Sequence, residues 1–168
     1  MKFSASKPAA GKLLGLLALL FISVGAPNLA AEEEIPQARV AAAYREAEQF
    51  YRISEFFTGR ESTGGDVVLR TDPDERGGYY FTAKLPRYPY RTEVPGAIRL
   101  QVILPGDVEP TLFEFPLGPH RRRNPLILVG LTGETWPDAR ALPLAWRISF
   151  MDSKGRPIAA RQSFLWGH

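Results

Sequence analysis

Cysteine is absent from the 168 residues, and histidine occurs only twice, as His120 and His168. The first absence removes disulfides, thiolate nucleophiles and cysteine-ligated metal sites. The second leaves a Ser–His–Asp or metal–histidine site only two positions to draw on. His120 stands beside Arg121, Arg122 and Arg123, whose charge repels a metal cation and disfavours the protonated imidazole, so it reads as a solvated loop histidine. His168 is terminal and expected to fray. There is no Asn-x-Ser/Thr acceptor, and the glycine pairs at 64–65 and 77–78 lack the Lys/Ser partner or following helix that a phosphate-cradling loop requires. No metal and no cofactor are expected.

Long apolar runs are also missing. The single run, Leu13 to Val24, is well short of the about 20 residues of a spanning helix, and Gly25, Pro27 and Asn28 break it. Lys2, Lys7 and Lys12 precede it with no acid before Glu32, and Ala30 and Ala31 follow. A basic head, a short apolar middle and a small-residue exit form an export signal, with cleavage expected after Ala31. A retained membrane anchor is the alternative, and a lipid anchor has no cysteine to use. Loss of the three lysines changes the charge balance. The chain carries 21 basic and 18 acidic residues, and 21 less those 3 leaves 18 against 18. The pI of about 9.3 therefore belongs to the targeting segment, and no nucleic acid partner is expected. About 137 residues remain, enough for one domain that buries roughly two-thirds of its unfolded-chain surface. The absence of cysteine and of a glycosylation acceptor points to a bacterial envelope or secreted protein.

What is present is mostly β patterning. PQARVAAAYREAEQFYR begins with a proline suited to a first helical position after the acids Glu32 to Glu34, and Val40, Tyr44, Ala47 and Tyr51 are spaced four, three and four. That spacing predicts a helix over 36–52. ISEFFTGRE either prolongs it to a cap at Gly59 or begins the first strand. From residue 66 onward, DVVLR reads as a short strand. Tyr79, Phe81, Ala83 and Leu85 alternate on one face, as do Ile98, Leu100, Val102 and Leu104. Phe113, Phe115 and Leu117 follow, PLILVGL is apolar on both faces and so reads as a doubly covered central strand, and Trp146, Ile148 and Phe150 share a face. The turn at Asp152-Ser153-Lys154-Gly155 leads to a last strand in RPIAARQSFLW.

About seven strands with Gly/Pro-rich turns predict a two-layer antiparallel β-sandwich. Over residues 66–166 the pattern resembles the immunoglobulin-like or fibronectin-type group. The expected organisation is a signal peptide over 1–31, an N-terminal helical segment over 32–60 and the sandwich over 61–168. A small outer-membrane barrel is the structural alternative. Arg99, Gln101, Glu114 and Arg147 on the faces opposite the apolar ones argue against a lipid-facing band.

No two of the 18 acids stand out as a catalytic pair. Asp66, Asp72, Asp74, Glu75, Asp107, Glu109 and Asp138 fall in predicted turns, where short carboxylates cap the local backbone. Asp72 and Asp74 could open a calcium loop, but Arg76 and Ala83 occupy the places of its further ligands, so a β-turn is expected. Two clusters suit binding. GPHRRRNP brings together Arg121, Arg122 and Arg123, bidentate donors for carboxylates or phosphates, although such a run also serves as a solvated connector. PRYPYRTEVPG alternates Tyr88 and Tyr90 with arginines in a proline-stiffened loop, suited to a sugar or a protein partner, although one tyrosine capping the core fits as well. Trp136 is a further candidate, and Trp146 is expected in the core. The expectation is a non-enzymatic exported module that binds a protein or glycan. A hydrolase with paired carboxylates and an outer-membrane barrel are the alternatives.

Overall fold

The computed structural model describes residues 35–85, 95–118, 126–136 and 138–167. Among these residues, eight strands form two four-stranded sheets. The first sheet has the order β1 (Arg39–Arg45), β3 (Gly78–Lys84), β6 (Ile127–Thr132) and β2 (Val67–Arg70). The second has the order β5 (Thr111–Pro116), β4 (Ala97–Ile103), β7 (Ala145–Met151) and β8 (Pro157–Gln162). They face each other as a sandwich and do not close into a barrel.

The expected alternations hold. Ile98, Leu100 and Val102 of β4 are fully buried, and so are Ile148 and Phe150 of β7. Each such side chain contributes about 1.5–3 kcal/mol of burial. On β3, Tyr79, Phe81 and Ala83 face the same core as Ile127, Val129 and Leu131 of β6. Trp146 joins it edge-on to Phe81, with ring centroids 5.3 Å apart. Every residue of β6 is buried, as a doubly covered strand should be. The second sheet keeps a polar outer face, where Arg99 pairs with Glu114 across the β4–β5 ladder.

Three expectations are corrected. The stretch expected as a helix over 36–52 contains strand β1, paired antiparallel with β3 from Arg39↔Lys84 to Arg45↔Gly78. Residues 39–45 therefore belong to the sandwich, not to a separate helical segment. Their burial alternates, with Val40, Ala42 and Tyr44 packed against the core. Helical structure comes later, as a 3₁₀ turn at Ala47–Phe50 and then α1 (Ile53–Thr58). Gly59 ends α1 in the left-handed conformation (φ 63°), its N–H donating to Glu55 O at 2.8 Å. ISEFFT is thus a short helix of its own. Finally, the sheets are not wholly antiparallel, because β2 runs parallel to β6 in the register Val67↔Ile127 to Arg70↔Gly130. Among the described residues there are eight strands where about seven were expected.

The double cover of β6 has a specific origin. Tyr80 projects from the outer face of β3, where strand alternation predicts exposure, yet it is fully buried. Its ring lies against Phe50, centroid to centroid 4.7 Å, and Arg70 stands 5.3 Å over Phe50. The Tyr80 hydroxyl donates to Arg76 O at 2.8 Å and accepts from Arg70 Nε at 2.9 Å. The chain between β1 and β2 thus straps the outside of the first sheet. Gly130 lets the ring lie flat on β6, since a Cβ there would come within 2.4 Å of it.

Candidate functional site

The strap ends in an unusual presentation of apolar surface. Ile53, Phe56 and Phe57 are 79%, 86% and 85% exposed. At about 100° per residue these three positions fall on one side of α1, and Glu55 falls on the other. Glu55 is the tether. Its carboxylate accepts from Arg76 Nη1 at 2.8 Å and from Ser62 N at 3.1 Å. Arg76 also stacks its guanidinium 4.5 Å over Tyr51. A neighbouring pair, Arg70 and Glu61, is bidentate at 2.9 and 2.6 Å. The helix is held by polar bonds on its inner side, which leaves its apolar side outward.

The electrostatics of the acids are those of structural ion pairs. The hydrogen bond from Arg76 holds the Glu55 carboxyl below its ordinary pKa, and that from Arg70 does the same for Glu61. Asp152 is lowered by the Arg156 N–H it accepts, then by the Arg156 side chain and Lys154 N–H. Burial pushes the Tyr80 hydroxyl up, against the pull of Arg70. A general acid needs a raised carboxyl pKa, and these three are all displaced the other way.

Of the sequence candidates, Trp136 is a core residue. It is 3% exposed, stacks on Tyr79 at 4.8 Å, and its indole N–H has no acceptor. The 3₁₀ turn at Gly133–Thr135 after β6 swings it inward. Arg121, Arg122, Arg123, Tyr88 and Tyr90 lie outside the described residues, as does His120. The strand ends that flank those segments are adjacent. Gly96 N donates to Met151 O at 2.7 Å, and Leu117 N donates to Gly96 O at 3.0 Å. The β7–β8 turn begins beside them, with Asp152 Oδ1 accepting from Lys154 N and Arg156 N at 2.8 Å each. Asp72 serves a turn as expected, its Oδ1 accepting from Asp74 N at 3.0 Å. Among the described residues no three His, Cys, Asp or Glu cluster to hold a metal ion, and no helix is long and apolar enough to cross a membrane.

The sequence reading missed α1 as a surface. Its signal was Phe56-Phe57 just before a glycine stop, with Ile53 one turn earlier. No family model, curated protein or solved structure matches the chain.

Proposed function

We propose that this chain is an exported, non-enzymatic β-sandwich module of the bacterial envelope that binds a protein partner through α1. The exposed face of Ile53, Phe56 and Phe57 carries this reading. Aromatic side chains presented on a tethered element lose little conformational freedom on contact and are enriched at protein interfaces. A protein is favoured over a glycan because the face is contiguous and apolar, with no carboxylate or amide among its three side chains. The depressed pKa values of Glu55, Glu61 and Asp152 support a binding role over acid–base chemistry.

An immunoglobulin-like or fibronectin-type arrangement belongs to the same proposal. With β2 set aside, β1, β3 and β6 face β5, β4, β7 and β8, and all three neighbouring pairs of the second sheet, β5–β4, β4–β7 and β7–β8, are antiparallel. Arg121, Arg122 and Arg123 and the tyrosines Tyr88 and Tyr90 remain proposed contacts on the strength of the sequence alone.

The test is site-specific photocrosslinking in cells. A photoreactive phenylalanine analogue at Phe57 is expected to give one discrete cross-linked protein, lost on Phe56→Asp. The same analogue at Gln101, on the outer face of the second sheet, is expected to give none. Equal labelling at the two positions, or no product at Phe57, refutes the α1 contact.

A further inference from the structure

The strap does not cover the first sheet completely. Between it and the outer faces of the strands lies a pocket of about 160 Å³ whose lining includes Arg45, Arg52, Phe50, Leu126 and Leu128. At about 30 Å³ per water molecule, it holds the equivalent of about five waters.

Two guanidinium groups line this pocket, and among the described residues neither has a carboxylate partner. Arg45 projects from the end of β1. Its Nη2 donates to the neutral Thr82 hydroxyl at 3.2 Å, and its Nε is closed off from solvent with no acceptor. A buried N–H without an acceptor is costly until one arrives. Arg52 reaches the pocket from the strap and makes a long bond to Thr63 O, at 3.4 Å. Its guanidinium lies on Gly64, where a Cβ would stand 2.9 Å from Cζ. The missing side chain is what makes room for it.

The acids of the lining have bonds of their own. Glu61 is committed to Arg70 in the bidentate bridge, and Asp66 Oδ1 accepts from Leu126 N at 3.1 Å. Two guanidinium groups facing one concave site favour an anion between them. Phe50, Val68, Leu126 and Leu128 form the apolar part of the wall, beside the polar Gln49, Ser62, Thr63 and Thr82.

We propose that this pocket binds a small carboxylate with a short apolar tail. The carboxylate sits between Arg45 and Arg52, whose planar forks match its two oxygens, and the tail lies against the apolar wall. Inorganic phosphate offers the same oxyanion chemistry but no tail, so it binds more weakly. This site is separate from the α1 face, and neither proposal depends on the other.

The probe is sodium butyrate, titrated into the full folded domain at constant ionic strength against chloride and followed by calorimetry and by the arginine side-chain N–H resonances. Saturable binding is expected, with the Arg45 and Arg52 resonances shifting together and acetate and phosphate weaker than butyrate. Arg52→Gln is expected to weaken binding about tenfold or more, the loss for one charge-assisted partner of two. That side chain is exposed, so the variant keeps the fold; Arg45→Gln is the more severe test if it folds. Non-saturable shifts, an affinity unchanged in Arg52→Gln, or phosphate binding more tightly than butyrate would each overturn the proposal.

Discussion

Gly130→Ala tests the account of the first sheet most directly. Tyr80 and Gly130 are directly opposed on β3 and β6, an aromatic–glycine cross-strand pair of the kind that shields a bare backbone. A Cβ on residue 130 would lie 2.4, 2.7 and 2.9 Å from three atoms of the Tyr80 ring, so the ring must retreat by about 1 Å or more to reach ordinary contact distance. It has nowhere to go. Phe50 closes the other side, and the hydroxyl is held by Arg70 and Arg76. Overpacking costs about 1–3 kcal/mol, and weakening the charge-assisted bond from Arg70 adds to it from a bond of about 1.5–3 kcal/mol. A total loss of about 2–5 kcal/mol is expected in urea unfolding. The decisive measurement is the same substitution in a Tyr80→Val background. With the ring gone, alanine replaces a conformationally free glycine within a strand, which gains about 0.5–1 kcal/mol. The effect of Gly130→Ala should therefore change sign between the two backgrounds. If it costs the same in both, the steric reasoning is wrong.

Two further outcomes follow from charge and from the proposed export signal. Glu55 and Glu61 have folded-state pKa values below the unfolded value, which is about 4.3. Their contribution to stability is then complete above that pH and lost as pH falls through the lowered folded values. Urea midpoints should be flat near neutrality and fall below about pH 4.3, with a shallower acid limb in Glu55→Gln; equal acid limbs would remove Glu55 from the explanation. If the chain is exported as proposed, intact-mass measurement of the mature protein should show Glu32 as its first residue, and retention of Leu13–Val24 would contradict a cleaved signal.

Most of the sandwich was legible because alternation is unambiguous where large apolar and charged residues take turns, as in Ile98-Arg99-Leu100 of β4. β1 was not legible for a definite reason. Val40 and Tyr44 are four apart, a spacing that places two residues on one face of a helix and equally on one face of a strand. The residues between them that would decide are Ala41, Ala42 and Ala43, too small and too uniform to declare a period. The parallel seat of β2 was hidden as well, since four residues of DVVLR carry no mark of direction. Tyr80 alternated outward correctly. Its burial depends on Phe50, thirty positions earlier in the chain, which periodicity along β3 cannot register. The same limit applied to the pocket: Arg45 and Arg52 are unremarkable in sequence, and only the missing acceptor at Arg45 Nε distinguishes the first. Trp136 looked like a loop residue because the turn that carries it inward is set by Gly133, in the left-handed region at φ 61°.

The pairing of β2 with β6 also bears on when the domain can fold. Leu126 N and Asp66 Oδ1 meet across 60 residues of chain, and Arg161 meets Gln37 across 124. A chain made from its N-terminus has β1, β2 and β3 available early, yet β2 has no neighbour until β6 emerges. The lead-in to β1 waits still longer for Ala160, whose backbone carbonyl accepts from Ala38 N at 3.0 Å. Long-range closures of this kind slow folding. A fragment ending at β6 holds all four strands of the first sheet but only β4 and β5 of the second, so the core face between the sheets is still half uncovered. The core of a polypeptide with this wiring is complete only once β7 and β8 have been synthesised, which favours passage through a narrow pore before that point over passage after it.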